Sequence, residues 1–423
     1  MFVKVYPSDV SSFVMARPSI LSSHYAILMA ALAKGVTKIE NIIYTDDIMC
    51  TLGSVQKLGA GYMITDDALL ISGIDTDRER KNEKIIINCG RCEETLKFIL
   101  PVATFFFEEV EFILDGTLAN APLSVFEKMY SVAGGTFVRE NNSLTVSGRL
   151  TGGTYEITDS TDYKSICGLM LVCPLFDDYT EIIFPEGENI SQHIKNFVSC
   201  QQLLGISWNV VSKELMDIDG GKKYECRDLT IDTDMILSAY FMLLGAFGSG
   251  IDIIGINEDE TDRTARALIE ILEKAEIKIE YTENALRIKR SKPCRFSVDL
   301  TDFRELIPVI ILLAVYTPGF SVIKGIGEPS EMLRNLIYEL RSADVRIGFS
   351  EGNIVIEGAH IQKNAKFNSY NDANLAMFFG AYASLSEGIC VIEDAGTVNA
   401  IYPDFWHDLR CIGIRVDEEK NNG

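Results

Sequence analysis

One pattern of residues occurs six times along this chain of 423 residues. In each copy, an apolar stretch with helical spacing passes through a short polar or glycine turn into a strand rich in β-branched residues. The copies follow one another at intervals of about 70 residues, and a fixed period of this size indicates one supersecondary unit that is used repeatedly. The six copies occupy residues 28–39, 100–112, 169–182, 241–253, 311–323 and 378–390.

A second helix follows in each unit, because apolar residues recur there at about every 3.6 positions. Several of these helices run into a glycine, which can take the left-handed conformation that ends a helix; these glycines are Gly59, Gly134, Gly205 and Gly413. Short strands follow, so each unit is predicted to run β-α-β-α-β-β. The second helices are predicted over residues 48–58, 124–132, 194–204, 266–275, 333–342 and 405–411.

The length of the chain predicts two globules, because a single hydrophobic core stops growing at about 250–300 residues. The first helix of each unit is apolar nearly all round and must be buried, which puts helices inside and sheets outside. The predicted fold class is therefore α/β, a two-globule inside-out α/β barrel with three repeats per domain. The first globule is predicted at residues 18–233, and the second at residues 1–17 and 234–423, with the strand at residues 2–7 completing its last unit.

Composition argues against several classes of partner. The formal net charge of −22 repels polyphosphates, and no basic stripe is present, so we expect no binding to nucleic acid. The chain has no run of about 18 uncharged apolar residues, so the sequence predicts no membrane span. The first residues also lack the features of a signal peptide. We therefore expect a cytoplasmic protein that does not bind membranes.

The ten cysteines lie mostly within apolar patterns, which suits reduced thiols that serve as small core residues. Cys89 and Cys92 have CxxC spacing, but no second cysteine pair or histidine cluster follows at the distance typical of a zinc site. We therefore predict no metal site and no cofactor.

Short motifs that point to one protein family are spread over nearly the whole chain, at residues 18–19, 46–48, 95–98, 147–149, 151–153, 370–372 and 402–405. Together they resemble the EPSP synthase (3-phosphoshikimate 1-carboxyvinyltransferase) family, whose members join phosphoenolpyruvate to the 5-hydroxyl of shikimate 3-phosphate. The resemblance implies a transferase of the enolpyruvyl class in the shikimate pathway. It also implies that a small-molecule ligand binds in a cleft between the two globules.

Lysine and arginine line this cleft in the family, because both substrates are phosphorylated carboxylates. Here most of these positions differ. At the start of the first helix, Ser19 is retained, but the family's lysine position holds Ile20 and its arginine position holds Tyr25. In the second unit, residues 91–94 replace an Asn-x-Gly-Thr turn, and Lys97 stands at an arginine position.

Further positions change in both globules. The family's Ser-Ser-Gln triplet, which holds the shikimate phosphate, aligns with Asp162, Tyr163 and Lys164, and its general-base aspartate aligns with Glu305. The cleft positions that the resemblance assigns to substrate binding are Ser19, Ile20, Tyr25, Arg91, Lys97, Asp162, Tyr163, Lys164 and Asn374.

Two interpretations of the remaining cations stay open. In one, Lys97 and Lys164 form a rearranged anion site together with Arg91 and Arg304. In the other, the two lysines pair with the neighbouring carboxylates of Glu93, Glu94 and Asp162 as solvated ion pairs. The two interpretations predict opposite chemistry, because only unpaired ammonium groups can bind a phosphate.

Glu305 is likewise either a general base or an acid that the helix dipole favours at a helix start. Taken together, the substitutions predict a family member with a degenerate active site that does not run the ordinary enolpyruvyl transfer efficiently. The alternative is an active carboxyvinyltransferase with a rearranged cleft, either an EPSP synthase or an enzyme for a less anionic acceptor. A working EPSP synthase would take compensating charge from Arg17 or Lys324. An enzyme for a less anionic acceptor would use Glu305 with Lys97, Arg91 and Lys164.

Overall fold

The computed structural model describes residues 1–10, 12–77, 79–186, 190–256, 263–359 and 364–419. The chain forms two compact units, one made of Pro18–Asp232 and the other of Met1–Arg17 together with Thr233–Gly423. We call them the 18–232 unit and the composite unit. Within the described ranges, no helix combines the length and the apolar character that crossing a bilayer requires.

The helices alternate in character along the chain. The first helix of each repeat is buried nearly all round, whereas the second buries one face and exposes the other. The α-helices are α1 Ile20–Leu32, α2 Asp46–Leu58, α3 Glu93–Phe106, α4 Ser124–Val132, α5 Tyr163–Val172, α6 Gln192–Leu203, α7 Met235–Phe247, α8 Arg263–Lys274, α9 Ile307–Tyr316, α10 Glu331–Ser342, α11 Ala373–Leu385 and α12 Phe405–Cys411. Short 3₁₀ helices lie at Gly116–Asn120, Cys173–Leu175, Arg304–Leu306 and Ala395–Ala400.

The strands of the described ranges form six four-stranded sheets. They are β1 Phe2–Tyr6, β2 Ser12–Met15, β3 Val36–Glu40, β4 Gly61–Ile64, β5 Ala68–Ser72, β6 Lys81–Gly90, β7 Phe107–Leu114, β8 Thr136–Glu140, β9 Ser143–Ser147, β10 Gly153–Glu156, β11 Thr180–Ile183, β12 Asn209–Val210, β13 Leu215–Ile218, β14 Leu229–Thr230, β15 Ile251–Ile254, β16 Lys278–Tyr281, β17 Ala285–Lys289, β18 Ser297–Asp299, β19 Gly319–Lys324, β20 Arg346–Ser350, β21 Asn353–Gly358, β22 Ala365–Asn368, β23 Cys390–Glu393 and β24 Arg415–Glu419.

Every one of these sheets has the same arrangement. An edge strand pairs in parallel with a central strand, and the other two neighbouring pairs are antiparallel, as in β6-β7-β9-β8. The 18–232 unit has the sheets β14-β3-β5-β4, β6-β7-β9-β8 and β10-β11-β13-β12, which cover α1, α3 and α5. The composite unit has β16-β17-β15-β2, β18-β19-β21-β20 and β22-β23-β1-β24, which cover α7, α9 and α11. The predicted fold class, an inside-out α/β barrel, is confirmed.

The strands that precede α1 and α7, β2 and β14, each pair with a strand that is distant in sequence but belongs to the same unit. β2 pairs in parallel with β15 of the composite unit, and β14 pairs in parallel with β3 of the 18–232 unit. β1 lies between β23 and β24, with Val5 opposite Cys390 on one side and Val416 on the other. The N-terminal strand thus completes the last repeat, as the sequence predicts.

Three of the second helices, α2, α6 and α10, begin two residues before their predicted starts. The side chains of Thr45, Ser191 and Ser330 each accept the backbone N–H of the residue three positions on, and so form N-caps. The first turn after such a cap is polar, so it lies outside the apolar periodicity from which the starts were predicted. At the other end of α2, Gly59 has a φ of 108°, the left-handed conformation that the sequence predicts there.

α3 and α5 pack closely at Gly168. A methyl group on Gly168 would lie 2.1 Å from the carbonyl oxygen of Lys97, far inside van der Waals contact. Because Gly168 has no side chain, the backbones of α3 and α5 can approach closely. This approach sets the distance between the starts of the two helices, where Lys97 and Asp162 form an ion pair.

We expect Gly168→Ala to destabilise the protein by about 1–3 kcal/mol, because the added methyl group forces α3 and α5 apart. Gly53→Ala in α2 is the matched control, since nothing lies within 4 Å of its added Cβ. Alanine's better helix propensity should make that variant about 0.5–1 kcal/mol more stable. Urea unfolding of both variants measures the two effects, and a loss of equal size in both would contradict the packing argument.

Candidate functional site

Four helix starts in the 18–232 unit carry side-chain caps and are linked by polar contacts. Ser19 caps α1, Thr45 caps α2, Cys92 caps α3 and Asp162 caps α5. The free N–H groups and the dipole at a helix start favour a negative charge nearby. The charged side chains around these starts therefore decide which kind of ligand they accept.

Five charged side chains at the starts of α3 and α5 form one ion-pair network, made of Glu93, Glu94, Lys97, Asp162 and Lys164. Lys97 Nζ lies 2.8 Å from Glu93 Oε1 and 2.8 Å from Asp162 Oδ1. Lys164 Nζ lies 2.8 Å from Glu93 Oε2 and 2.6 Å from Glu94 Oε1. Glu93 thus bridges the two lysines, and each lysine has two carboxylate partners.

The network is largely removed from solvent. The Lys97 side chain is 3% exposed, that of Asp162 is 11% exposed, and that of Lys164 is 20% exposed. Of the two interpretations that the sequence leaves open, the ion pairs therefore form. The Lys97–Asp162 pair is buried, whereas the side chains of Glu93 and Glu94 are 33% and 27% exposed. Burial makes each partner depend on the others, because a buried charge that loses its counter-charge is strongly destabilising.

The ion pairs outweigh the effect of burial on these groups. Burial acts to raise the pKa of Glu93, but Lys164 and Lys97 hold it below its ordinary value. The pKa of Glu94 is also lowered, since Lys164 and His24 outweigh its burial. Burial acts to lower the pKa of Lys164, yet Glu94, Tyr163 and Glu93 raise it above its ordinary value. Three carboxylates thus face two ammonium groups, and the network has a net negative charge.

At the start of α1, the two positions where the family has cations hold uncharged side chains. Ile20 packs against the hydrophobic core of the unit. The Tyr25 side chain is buried, and its ring lies 5.3 Å from that of Phe98 and 4.9 Å from that of Phe197, centroid to centroid. Tyr25 is therefore a core residue, and Ser19 serves as the helix cap.

Two further predicted positions lie near the network. The Tyr163 ring stacks on the His193 ring, with centroids 4.0 Å apart and planes inclined by 15°. Arg91 is exposed just before α3. The structure thus brings Lys97, Asp162, Tyr163 and Lys164 into one region.

Glu305 and Asn374 lie in the composite unit. Glu305 is half-buried in the 3₁₀ turn before α9, where its Oε1 accepts a hydrogen bond of 2.8 Å from Thr264 Oγ1 of α8. Asn374 is exposed in the first turn of α11, and its backbone N–H donates to Asp372 Oδ1 over 2.8 Å. Both positions lie at helix starts, and their roles in substrate binding or catalysis stay predictions.

Sequence reasoning missed a line of buried polar groups beside the network. His24 Nδ1 lies 2.8 Å from Thr51 Oγ1, which lies 2.6 Å from Thr95 Oγ1. Burial lowers the pKa of His24 to about 4, so its ring is neutral at pH 7. Cys92 and Asp47 adjoin this line, and burial, reinforced by Glu94, raises the pKa of Asp47 to about 6. These residues come from three helices, so no spacing along the chain indicated the group.

The fold is that of the enolpyruvyl transferases. The EPSP synthase from Acinetobacter baumannii superposes with a TM-score of 0.82 at 17% identity, over 99% of this chain and 100% of that one. The enolpyruvyl transferase NikO from Streptomyces tendae superposes with a TM-score of 0.78 at 15% identity, over 99% of both chains. At these identities the likeness concerns the fold alone.

Sequence comparison identifies the family. The model of the EPSP synthase (3-phosphoshikimate 1-carboxyvinyltransferase) family matches residues 6–409, and the chain therefore belongs to this family. It is 26% identical over 423 residues to the 3-phosphoshikimate 1-carboxyvinyltransferase of Clostridium kluyveri, which covers 99% of this chain and 98% of the relative. It is 25% identical to the protein of that name from Clostridioides difficile, over 98% of both. The resemblance that the sequence motifs indicate is thereby confirmed.

Lys97→Met should destabilise the protein by about 3–5 kcal/mol, because Glu93 and Asp162 lose the ammonium group that they share. Adding Asp162→Asn, which still caps α5, should recover part of this loss. Lys38→Met is the control, since Lys38 pairs with Glu40 on the surface, where ion pairs contribute little. Chemical denaturation measures each free energy of unfolding, and equal losses for Lys97→Met and Lys38→Met would contradict a buried network.

Proposed function

We propose that this EPSP synthase family protein does not run the ordinary enolpyruvyl transfer from phosphoenolpyruvate to shikimate 3-phosphate efficiently. The ion-pair network carries the proposal. Lys97 and Lys164 align with anion-binding positions of the family, but each already has two carboxylate partners. A phosphate entering this region would have to displace carboxylates and would meet an excess of negative charge.

The expected loss is large compared with the total acceleration that an enzyme supplies. A charge-assisted hydrogen bond to an oxyanion contributes about 1.5–3 kcal/mol. Ile20 and Tyr25 supply no such bond, and the two lysines of the network are engaged. Losing at least three of these four bonds, at about 2 kcal/mol each, amounts to about 6 kcal/mol or more, and since each 1.36 kcal/mol is worth tenfold, to at least roughly 10⁴-fold in rate.

The same replacements favour a different ligand in the cleft that the family resemblance predicts. Ile20 is a half-buried hydrocarbon side chain where the family presents a lysine, and the buried Tyr25 supplies no cation where the family presents an arginine. A small molecule that is apolar or aromatic would lose less hydration on binding there than a phosphorylated carboxylate. We therefore propose a ligand of low anionic charge for this protein.

The alternative function is an active carboxyvinyltransferase with a rearranged cleft. It is supported by the names of relatives that match almost the full chain, and by the exposed Arg91 beside the network. The engagement of one cation that was expected to compensate, Arg17, argues against this alternative. Arg17 already pairs with Asp408 at 2.6 Å and with Asp404 at 3.1 Å, within the composite unit.

Phosphate release from shikimate 3-phosphate and phosphoenolpyruvate tests the proposal. We expect turnover at least about 10⁴-fold slower than that of the Clostridium kluyveri enzyme assayed in parallel. We also expect that neither substrate raises the thermal midpoint of this protein, since a ligand that does not bind cannot stabilise the folded state. Turnover close to that of the relative would overturn the proposal and establish the alternative.

A double variant tests the electrostatic reason. Glu93→Gln/Glu94→Gln leaves one carboxylate facing two ammonium groups, so phosphoenolpyruvate should raise its thermal midpoint at low salt although it does not raise that of the parent. Glu127→Gln/Glu140→Gln is the control, because it changes the total charge equally at exposed positions. A ligand-induced rise of the same size in both variants would contradict the role of the network.

A further inference from the structure

A second group of side chains lies beside the ion-pair network. Ligand atoms of Asp47, Cys92 and Glu94 all lie within 4.8 Å of one another. Asp47 is in the first turn of α2, Cys92 is the N-cap residue of α3, and Glu94 follows in the first turn of α3. In the part of the chain that the structure describes, this is the one group of three such side chains with metal-ligand chemistry.

His24 is directed at the same group from α1. It is 1% exposed, and its Nδ1 is engaged with Thr51 Oγ1 at 2.8 Å. Its other ring nitrogen, Nε2, has one polar neighbour within hydrogen-bonding range among the described residues, namely Cys92 Sγ at 4.0 Å. A histidine whose Nδ1 is held in this way offers Nε2 to a metal ion in a fixed orientation. The buried imidazole thus adds a nitrogen ligand that adjoins the group at Cys92.

The charges around the group also favour a cation. The network already has one more carboxylate than ammonium groups, and Asp47 adds a further acid. Lys164 Nζ holds Glu94 Oε1 at 2.6 Å, which leaves Glu94 Oε2 on the side of Cys92, 3.8 Å from its Sγ. Lys164 therefore orients the Glu94 carboxylate without covering the oxygen that faces the group.

We propose that Asp47, Cys92 and Glu94, together with His24, bind one Zn²⁺ ion. A thiolate, an imidazole and two carboxylates form a mixed sulfur, nitrogen and oxygen set that suits Zn²⁺, whereas Mg²⁺ and Ca²⁺ prefer oxygen ligands throughout. Two ligand atoms of one tetrahedral Zn²⁺ lie about 3.6 Å apart. The ligand atoms of Asp47, Cys92 and Glu94, which lie within 4.8 Å of one another, and His24 Nε2, which lies 4.0 Å from Cys92 Sγ, would therefore move closer together when the ion binds.

Binding exchanges a proton for the metal. The Cys92 thiol loses its proton to solvent as the bond between zinc and sulfur forms, and no group is oxidised or reduced. A role as a nucleophile fits this cysteine less well, because its side chain is 1% exposed and burial raises its pKa above the ordinary value. The inference is independent of the proposed function, since a zinc site here would hold three helix starts together whatever the cleft binds.

The proposed site is not the CxxC pair that the sequence analysis considered. Cys89 lies in β6, outside the group, and Cys92 takes its partners from α1, α2 and α3. The ligands thus span residues 24–94 without the close pairs that mark a zinc site in a sequence. The sequence predicted no metal site because it contains no second such pair near Cys89 and Cys92.

Zinc titration of the full chain tests the proposal. Cys226→Ser/Cys411→Ser serves as the background, because both thiols are exposed and Cys411 Sγ lies 3.3 Å from His407 Nε2. After treatment with a chelator, calorimetry with Zn²⁺ should give one bound ion per chain. Co²⁺ should produce the near-ultraviolet charge-transfer band of a thiolate ligand.

Three variants in this background separate the site from nonspecific binding. Cys92→Ser should abolish the cobalt band and weaken Zn²⁺ binding at least about tenfold, and it keeps a good N-cap residue, so the helix still starts normally. Asp47→Asn should weaken Zn²⁺ binding by a similar factor while the band remains. Cys89→Ser is the matched control and should change neither. Absence of binding, or binding that survives Cys92→Ser or Asp47→Asn undiminished, would overturn the proposal.

Discussion

The burial of six helices that are apolar nearly all round is the constraint on which this structure depends. α9, for example, has every residue from Ile307 to Tyr316 buried. Such a helix is stable in water only when it is covered on all sides, so the sheets must lie outside it. Close approach of neighbouring helices follows, and Gly168 shows how tight the packing between α3 and α5 becomes. The same packing fixes where the polar ends of the helices lie.

Helix starts that lie close together produce a region whose ligand depends on the surrounding side chains. Unsatisfied N–H groups and aligned dipoles attract an anion, and a few lysines or arginines would complete a phosphate site. In this chain the anions are supplied from within, because Glu93, Glu94 and Asp162 take up both lysines. The scaffold is that of an enolpyruvyl transferase, whereas the side chains at the starts of α3 and α5 carry one more carboxylate than ammonium groups.

The positions of the helices could be predicted from the residues of each segment alone. Apolar spacing located the helices, and the φ of 108° at Gly59 follows from glycine's freedom to adopt that conformation. The pairing within the site could not be predicted in this way, because Lys97 and Asp162 are 65 residues apart and Lys164 and Glu93 are 71 apart. Whether two such side chains form a pair, and whether the pair is buried, depends on the packing of α3 against α5. The sequence therefore left both interpretations of the lysines open.

The pairing of β1 has a consequence for how the chain folds during synthesis. Residues 18–232 include all the strands of their three sheets, so this unit can close as soon as that segment has left the ribosome. β1 is synthesised well before both of its neighbours, β23 and β24. Until these two strands have been made, the hydrogen-bonding edges of β1 have no native partner, and an unprotected strand edge can pair with other chains. β1 is thus a segment on which a chaperone would have a long time to act.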